Sequence, residues 1–270
     1  MREVGERMQI NDVLRRRADL STFVVHLTKD SDKSARDNLF SIIGGRRLEA
    51  RTPMGWAINN IKAATCPTPD TQRVVCFSET PLEHIYSLFA DIESRNVLMK
   101  PYGLAFTKKE ARDIGINPVW YVDRTAGASH GWKLASALDA AFASAAATGA
   151  FDKEPIAVAL PFIESMGSWP QKNPTTIKEF WWEREWRHLG TLELVIWNVA
   201  LWLAPSAEHD DFRAAISQSR EALATNWKEK GWPLPAALPP VTIIDPNWGL
   251  EEIIAHLSGR GDQATPAISH

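Results

Sequence analysis

The chain has 270 residues, 44% hydrophobic and 23% charged, close to the average for soluble globular proteins, which excludes disordered and fibrous classes. Lys and Arg number 30 against 33 Asp and Glu, a net charge of −3, and a pI near 6.2 gives no global pull toward nucleic acid or an anionic membrane. The unusual count is tryptophan, 12 residues against 10 Phe and 3 Tyr, which suits either a base-stacking surface or a generous core.

A helical extension over residues 1–19 ends in the basic triplet Arg15-Arg16-Arg17. The segment Thr22 to Thr28 (TFVVHLT) predicts a buried strand, because β-branched and aromatic residues run without interruption. Ser34-Ala35-Arg36-Asp37 resembles a capping box that opens a helix with Leu39, Ile42 and Ile43 on its apolar side, and Gly44-Gly45 would stop it. A second strand, Arg73 to Ser78, runs into Pro81 and a helix carrying Leu82, Ile85, Leu88 and Phe89. Next come a strand at 102–106, a short helix at 108–114 and a strand at 118–122. An Ala-rich helix spans 132–147. Segments 156–162, 181–189 and 194–203 read as further strands, followed by a helix near 210–228, a strand at 241–244 and a closing helix at 250–257. Strands and helices alternate irregularly, so the predicted class is α+β, with one domain over 20–260 and a flexible tail at 261–270.

Two cysteines, Cys66 and Cys76, make no disulfide framework and lack zinc-ligand spacing. No metal is expected. Met1 to Arg7 has no apolar core of a secretory signal, and the most apolar stretch, 194–204, falls far short of the roughly 20 residues that span a bilayer. A cytoplasmic location with no membrane partner is the expectation.

Three segments place polar groups where they are costly. His26 sits among Val24, Val25 and Leu27, either as a core histidine with a backbone partner or as a ligand-orienting ring with Thr28 on the same face. Ser78-Glu79-Thr80 lies where a strand meets a helix, so it serves either as an ordinary cap or as a pocket rim. In Trp182-Glu183-Arg184-Glu185-Trp186-Arg187, strand alternation would put Glu183, Glu185 and Arg187 on one face and the indoles on the other. Carboxylates at i and i+2 would lie about 7 Å apart. That face is either solvated, with Arg187 screening both charges, or the wall of a cleft, and the aromatic flanks favour a cleft.

The order Phe-Val-Val-His-Leu-Thr, Cys-Phe-Ser-Glu-Thr-Pro-Leu, Tyr-Gly-Leu-Ala-Phe, Glu-Arg-Glu-Trp-Arg and a late Asp-Pro-Asn-Trp-Gly-Leu resembles the AbiGi-type abortive phage-infection proteins, a family described as antitoxins. The same order of a His strand, a Ser/Thr strand and a late Glu-x-Glu strand is similar to the ADP-ribosyltransferases. That resemblance implies a split β-sheet core with flanking helices, clamping NAD. His26 would hold NAD, with Thr28 beside it, and Ser78 would support the nicotinamide ribose. Glu185 would be the catalytic carboxylate, Glu183 would act on the acceptor, and Arg187 would assist in binding. The aromatic on the nicotinamide would be Tyr102 or Phe106.

The leading expectation is therefore a phage-defence protein with an ADP-ribosyltransferase-like site that uses NAD to modify a nucleic acid or protein, or that hydrolyses NAD. The alternative is a non-enzymatic antitoxin or sensor that binds a toxin or antitoxin partner protein, with Trp residues as interface anchors. Nucleic-acid binding through Arg15-Arg16-Arg17 ranks last, because short basic runs are commonly solvated surface.

Overall fold

The computed structural model describes residues 20–56, 72–90, 98–125, 129–149, 151, 153–167 and 183–259. The Arg15-Arg16-Arg17 stretch, Cys66, Trp181, Trp182 and the tail from 261 lie outside the described residues. Helices and strands are mixed, as predicted, and the chain divides into two compact units. One takes the chain up to Arg46, Thr80–Lys108 and everything from Val195; the other takes Arg47–Glu79 and Lys109–Leu194.

In the first unit, strand Phe23–Leu27 pairs antiparallel with Gly103–Thr107, placing Val24 opposite Phe106 and His26 opposite Leu104. Gly103–Thr107 then pairs antiparallel with Leu201–Leu203, which runs parallel to Ile243–Ile244. Val25, Leu27, Ala105, Leu201, Leu203 and Ile244 form a core with Ile85 and Leu88 from the 3-10 segment Leu82–Leu88. Helix Ala35–Gly45 starts as predicted, with Ser34 Oγ accepting from the Asp37 N–H. Its left-handed terminator is Arg46 (φ 50°) rather than either glycine. Leu39 and Ile43 are buried. Phe40 stacks on Phe212 of helix His209–Glu229, with ring centroids 4.3 Å apart, and Ser219 Oγ donates to the Ile43 carbonyl at 2.7 Å.

In the second unit, strand Arg73–Ser78 pairs antiparallel with Glu185–Leu189 over five residue pairs, from Val74–Leu189 to Ser78–Glu185. Asn117–Pro118 borders Glu185–Leu189, where a proline costs no inner-ladder bond. A separate parallel pair joins Trp120–Asp123 to Ile163–Met166. Helix Ser129–Thr148 buries Ala135, Leu138, Phe142 and Ala145 against Trp56, Val122, Phe151 and Leu160. Trp56 Nε1 donates to Asp139 at 2.8 Å, so this indole is both core and anchor.

Three predicted strands are corrected. Residues 156–162 form helix Pro155–Ala159 and a 3-10 turn, Leu160–Phe162, because Pro155 presets the first helical turn and a short apolar run suits helix or strand equally. Residues 194–203 bend through a 3-10 turn at Ile196–Asn198 before strand Leu201–Leu203. Of the strand expected at 181–189, the described residues from 183 form strand only over Glu185–Leu189, because Arg184 is left-handed (φ 46°) and ends the pleat. The indoles divide as well. Trp56, Trp186, Trp197 and Trp202 are buried, whereas Trp120 and Trp232 are at least half exposed.

Candidate functional site

Two carboxylates, Glu185 of the same strand and Glu164 of Ile163–Met166, converge on Arg187, whose side chain is fully buried. Its Nε donates to Glu185 Oε1 at 2.9 Å and its NH2 to Glu185 Oε2 at 2.7 Å, a two-bond fork across i and i+2. The same NH2 reaches Glu164 Oε2 at 3.0 Å, and NH1 donates to the Pro161 carbonyl at 2.6 Å. Burial opposes the charge on this guanidinium, and the Glu185 carboxylate overrides it, so the pKa rises above the ordinary arginine value. A cation with this many charge-assisted partners fixes Glu185 in place.

The left-handed residue Arg184 sets the geometry upstream. It takes Glu183 out of the pleat, so Glu183 and Glu185 do not share a strand face as alternation predicts. Only Glu185 and Arg187 do. Ser78, opposite Glu185 in the ladder, donates its hydroxyl to the Glu183 carbonyl at 2.9 Å, and the Glu79 N–H reaches the Arg184 carbonyl at 3.1 Å. The buried Glu79 carboxylate then takes Trp186 Nε1 at 3.0 Å and pairs with Arg184 at 3.0 Å. Ser78 with Glu183 and Arg187 with Glu185 thus make two bonded sets, set side by side by the Ser78–Glu185 ladder pair.

Two neighbours escaped the sequence reading. Tyr121 pairs in register with Glu164, and its phenol is held protonated, first by burial and then by Glu185, with Glu183 and Glu164 adding to the effect. Cys76 lies opposite Arg187 in the ladder, and burial followed by the Glu185 charge pushes its thiol up. No spacing in the sequence connects 76, 121, 164 and 187. Strand pairing sets Cys76 opposite Arg187 and Tyr121 opposite Glu164, and the Arg187–Glu164 ion pair at 3.0 Å joins the two pairs.

The other four candidates belong to the first unit. His26 is half-buried. Thr28 is buried, with Oγ1 2.8 Å from the Ala35 carbonyl and 3.1 Å from that of Tyr102. The Tyr102 hydroxyl donates to Glu208 at 2.7 Å, and burial together with that bond pushes its pKa up to about 12. Phe106 is 2% exposed and packed into the core.

Among the described residues, no group of three or more His, Cys, Asp or Glu is arranged to hold a metal ion, and no helix is long and apolar enough to cross a membrane. Compared with protein-family models, curated proteins and solved structures, the chain matches none.

Proposed function

We propose that the second unit carries an NAD-cleaving, ADP-ribosyltransferase-like site whose working carboxylate is Glu185. The observation behind this reading is the group built from one ladder pair: Ser78 sits opposite Glu185, its hydroxyl is on the Glu183 carbonyl, and Arg187 clamps the Glu185 carboxylate. A carboxylate offers about four lone-pair sites; Arg187 takes one on each oxygen and Cys76 also hydrogen-bonds to Glu185, which leaves acceptor capacity for a ribose hydroxyl. The Glu185 side chain is 12% exposed, so an edge of it reaches solvent.

NAD supplies a nicotinamide leaving group on an anomeric carbon. When the C–N glycosidic bond breaks, the electron pair leaves with nicotinamide and positive charge grows on the ribose, as in glycoside transfer. A carboxylate held rigid by Arg187 stabilises that charge without reorganising. Glu183, displaced from the strand by Arg184, is the group assigned to take the proton from the acceptor. The motif order shared with abortive-infection proteins supports a role in phage defence, with a nucleic acid or protein as acceptor.

The test is nicotinamide release from NAD by the purified chain, alone and with RNA, DNA or cell lysate. Glu185→Gln should abolish it while circular dichroism stays native. Release at the wild-type rate from that variant, or none from the wild type under any condition, overturns the reading.

A further inference from the structure

A second feature of the same unit lies apart from the Arg187 cluster in chemistry. Arg47, Glu49, Ala50, Arg51, Arg73 and Thr191 line a cleft of about 410 Å³. Three arginines and one carboxylate, Glu49, line it, in a chain whose net charge is −3. Different elements supply the arginines: Arg47 from the short strand Arg47–Leu48, Arg51 from the irregular segment after it, and Arg73 from the start of Arg73–Ser78.

Glu49 organises two of the three. It accepts Arg47 NH2 at 2.7 Å on one oxygen, and Arg51 Nε and NH2 at 3.1 and 3.0 Å on the other. Those bonds, from Arg51 first and Arg47 second, hold its carboxyl below the usual range. A guanidinium has five N–H donors, and here Arg47 spends one and Arg51 two. The Arg47 and Arg51 side chains are 55% and 64% exposed, so their remaining donors open to solvent. Thr191 Oγ1 accepts the Ala50 N–H at 3.3 Å, which leaves its own hydroxyl hydrogen to donate. Glu193 stands opposite Arg47 in the ladder but does not line the cleft.

We propose that this cleft is a phosphate-binding site, taking the phosphate of a nucleotide or of a nucleic-acid strand. Planar forks match the oxygens of phosphate, and several of them around one concavity suit a multiply charged oxyanion better than a single carboxylate. Glu49 pre-orders the two exposed forks and competes with the ligand for them. The inference stands on the cleft alone and does not need the NAD reading.

The experiment measures binding by the full chain, without NAD. The probes are a dye-labelled single-stranded RNA of mixed sequence, inorganic pyrophosphate, and polyglutamate as the carboxylate control. RNA binding should weaken with salt with a slope of about −2, at ~0.7 per phosphate contact for three arginines. Arg47→Ala and Arg51→Ala should each flatten that slope by about 0.7. Glu49→Gln should tighten binding, which a merely structural ion pair would not do. Pyrophosphate binding with RNA excluded supports the site and assigns it to small phosphates; RNA binding assigns it to a strand. Unchanged affinity for both probes in the Arg47→Ala/Arg51→Ala double variant, or tighter binding of polyglutamate than of either, overturns the proposal. Nicotinamide release plays no part in these readouts, so the two readings fail separately.

Discussion

Arg187 grips Glu185 from two positions along the same strand, with bonds of 2.9 and 2.7 Å to its two carboxylate oxygens. Glu164 and the Pro161 carbonyl complete the shell of a side chain with no exposed surface. Removing one partner of such a buried group leaves the others uncompensated, which costs far more than the intact pair contributes. Arg187→Met is therefore expected to destabilise the protein by about 3–5 kcal/mol. Arg187→Lys should recover only part of that, because a lysine cannot fork across two oxygens. Urea unfolding at constant slope checks both. A midpoint for Arg187→Met within error of the wild type would refute the structural weight given to this arginine.

Gly103 pairs with Leu27 across the Phe23–Leu27 ladder, and a Cβ placed there would overlap the carbonyl oxygen of His26 and crowd the Leu27 Cα at 3.1 Å. Backbone cannot rotate aside as a side chain can. Gly103→Ala should cost at least the ~1–3 kcal/mol typical of overpacking, with a loss of amide protection in both strands. Hydrogen exchange on the His26 and Leu104 amides is the local readout.

Features governed by neighbours in the chain were legible in the sequence. The Ser34 cap, the β-branched run Val24-Val25, the Arg73–Ser78 strand and the Ala-rich helix each follow from local propensity, and each forms. The same logic fails where one residue departs from its type. A left-handed arginine is uncommon, so nothing in Glu-Arg-Glu announces that Arg184 breaks the pleat between its two carboxylates. Segment 156–162 was equally ambiguous, since seven apolar-rich residues fit either period. Tyr121 and Glu164 were invisible for a different reason. Their relation to Arg187 runs through the register of a separate strand pair and one ion pair from Glu164, both of which are tertiary properties. Among the described tryptophans, Trp56, Trp186, Trp197 and Trp202 are buried and serve as scaffold.

His209 gives the fold a pH dependence. Its Nε2 lies 3.0 Å from the Ala204 carbonyl, and burial lowers its pKa below the ordinary 6.5. His256 and Arg213 push the same way, while the Ala204 bond and Asp245 oppose. With the folded pKa below the unfolded one, the unfolded chain binds the extra proton. The contribution is fully present above about 6.5 and is lost as pH falls from there through the folded pKa. Stability should drop as pH falls below about 6.5, and His209→Gln should reduce that drop. An identical drop in the variant would assign the effect to other groups.

Tyr102 separates packing from hydrogen bonding in the first unit. Its ring lies 6.0 Å from Phe212, and its hydroxyl donates to Glu208, which also pairs with Arg36. Burial, and then the Glu208 bond, hold the phenol protonated up to about 12. A raised folded pKa stabilises the protein fully below the unfolded value near 10 and loses that contribution as pH rises through the folded one. Tyr102→Phe keeps the ring and removes the donor to a charged acceptor, so it should cost about 1–2 kcal/mol at neutral pH. It should also abolish the phenolate absorbance step at about 12. Because Tyr102 belongs to the first unit and the proposed site to the second, nicotinamide release should stay at the wild-type rate. A fall in release with stability unchanged would count against a proposal confined to the second unit.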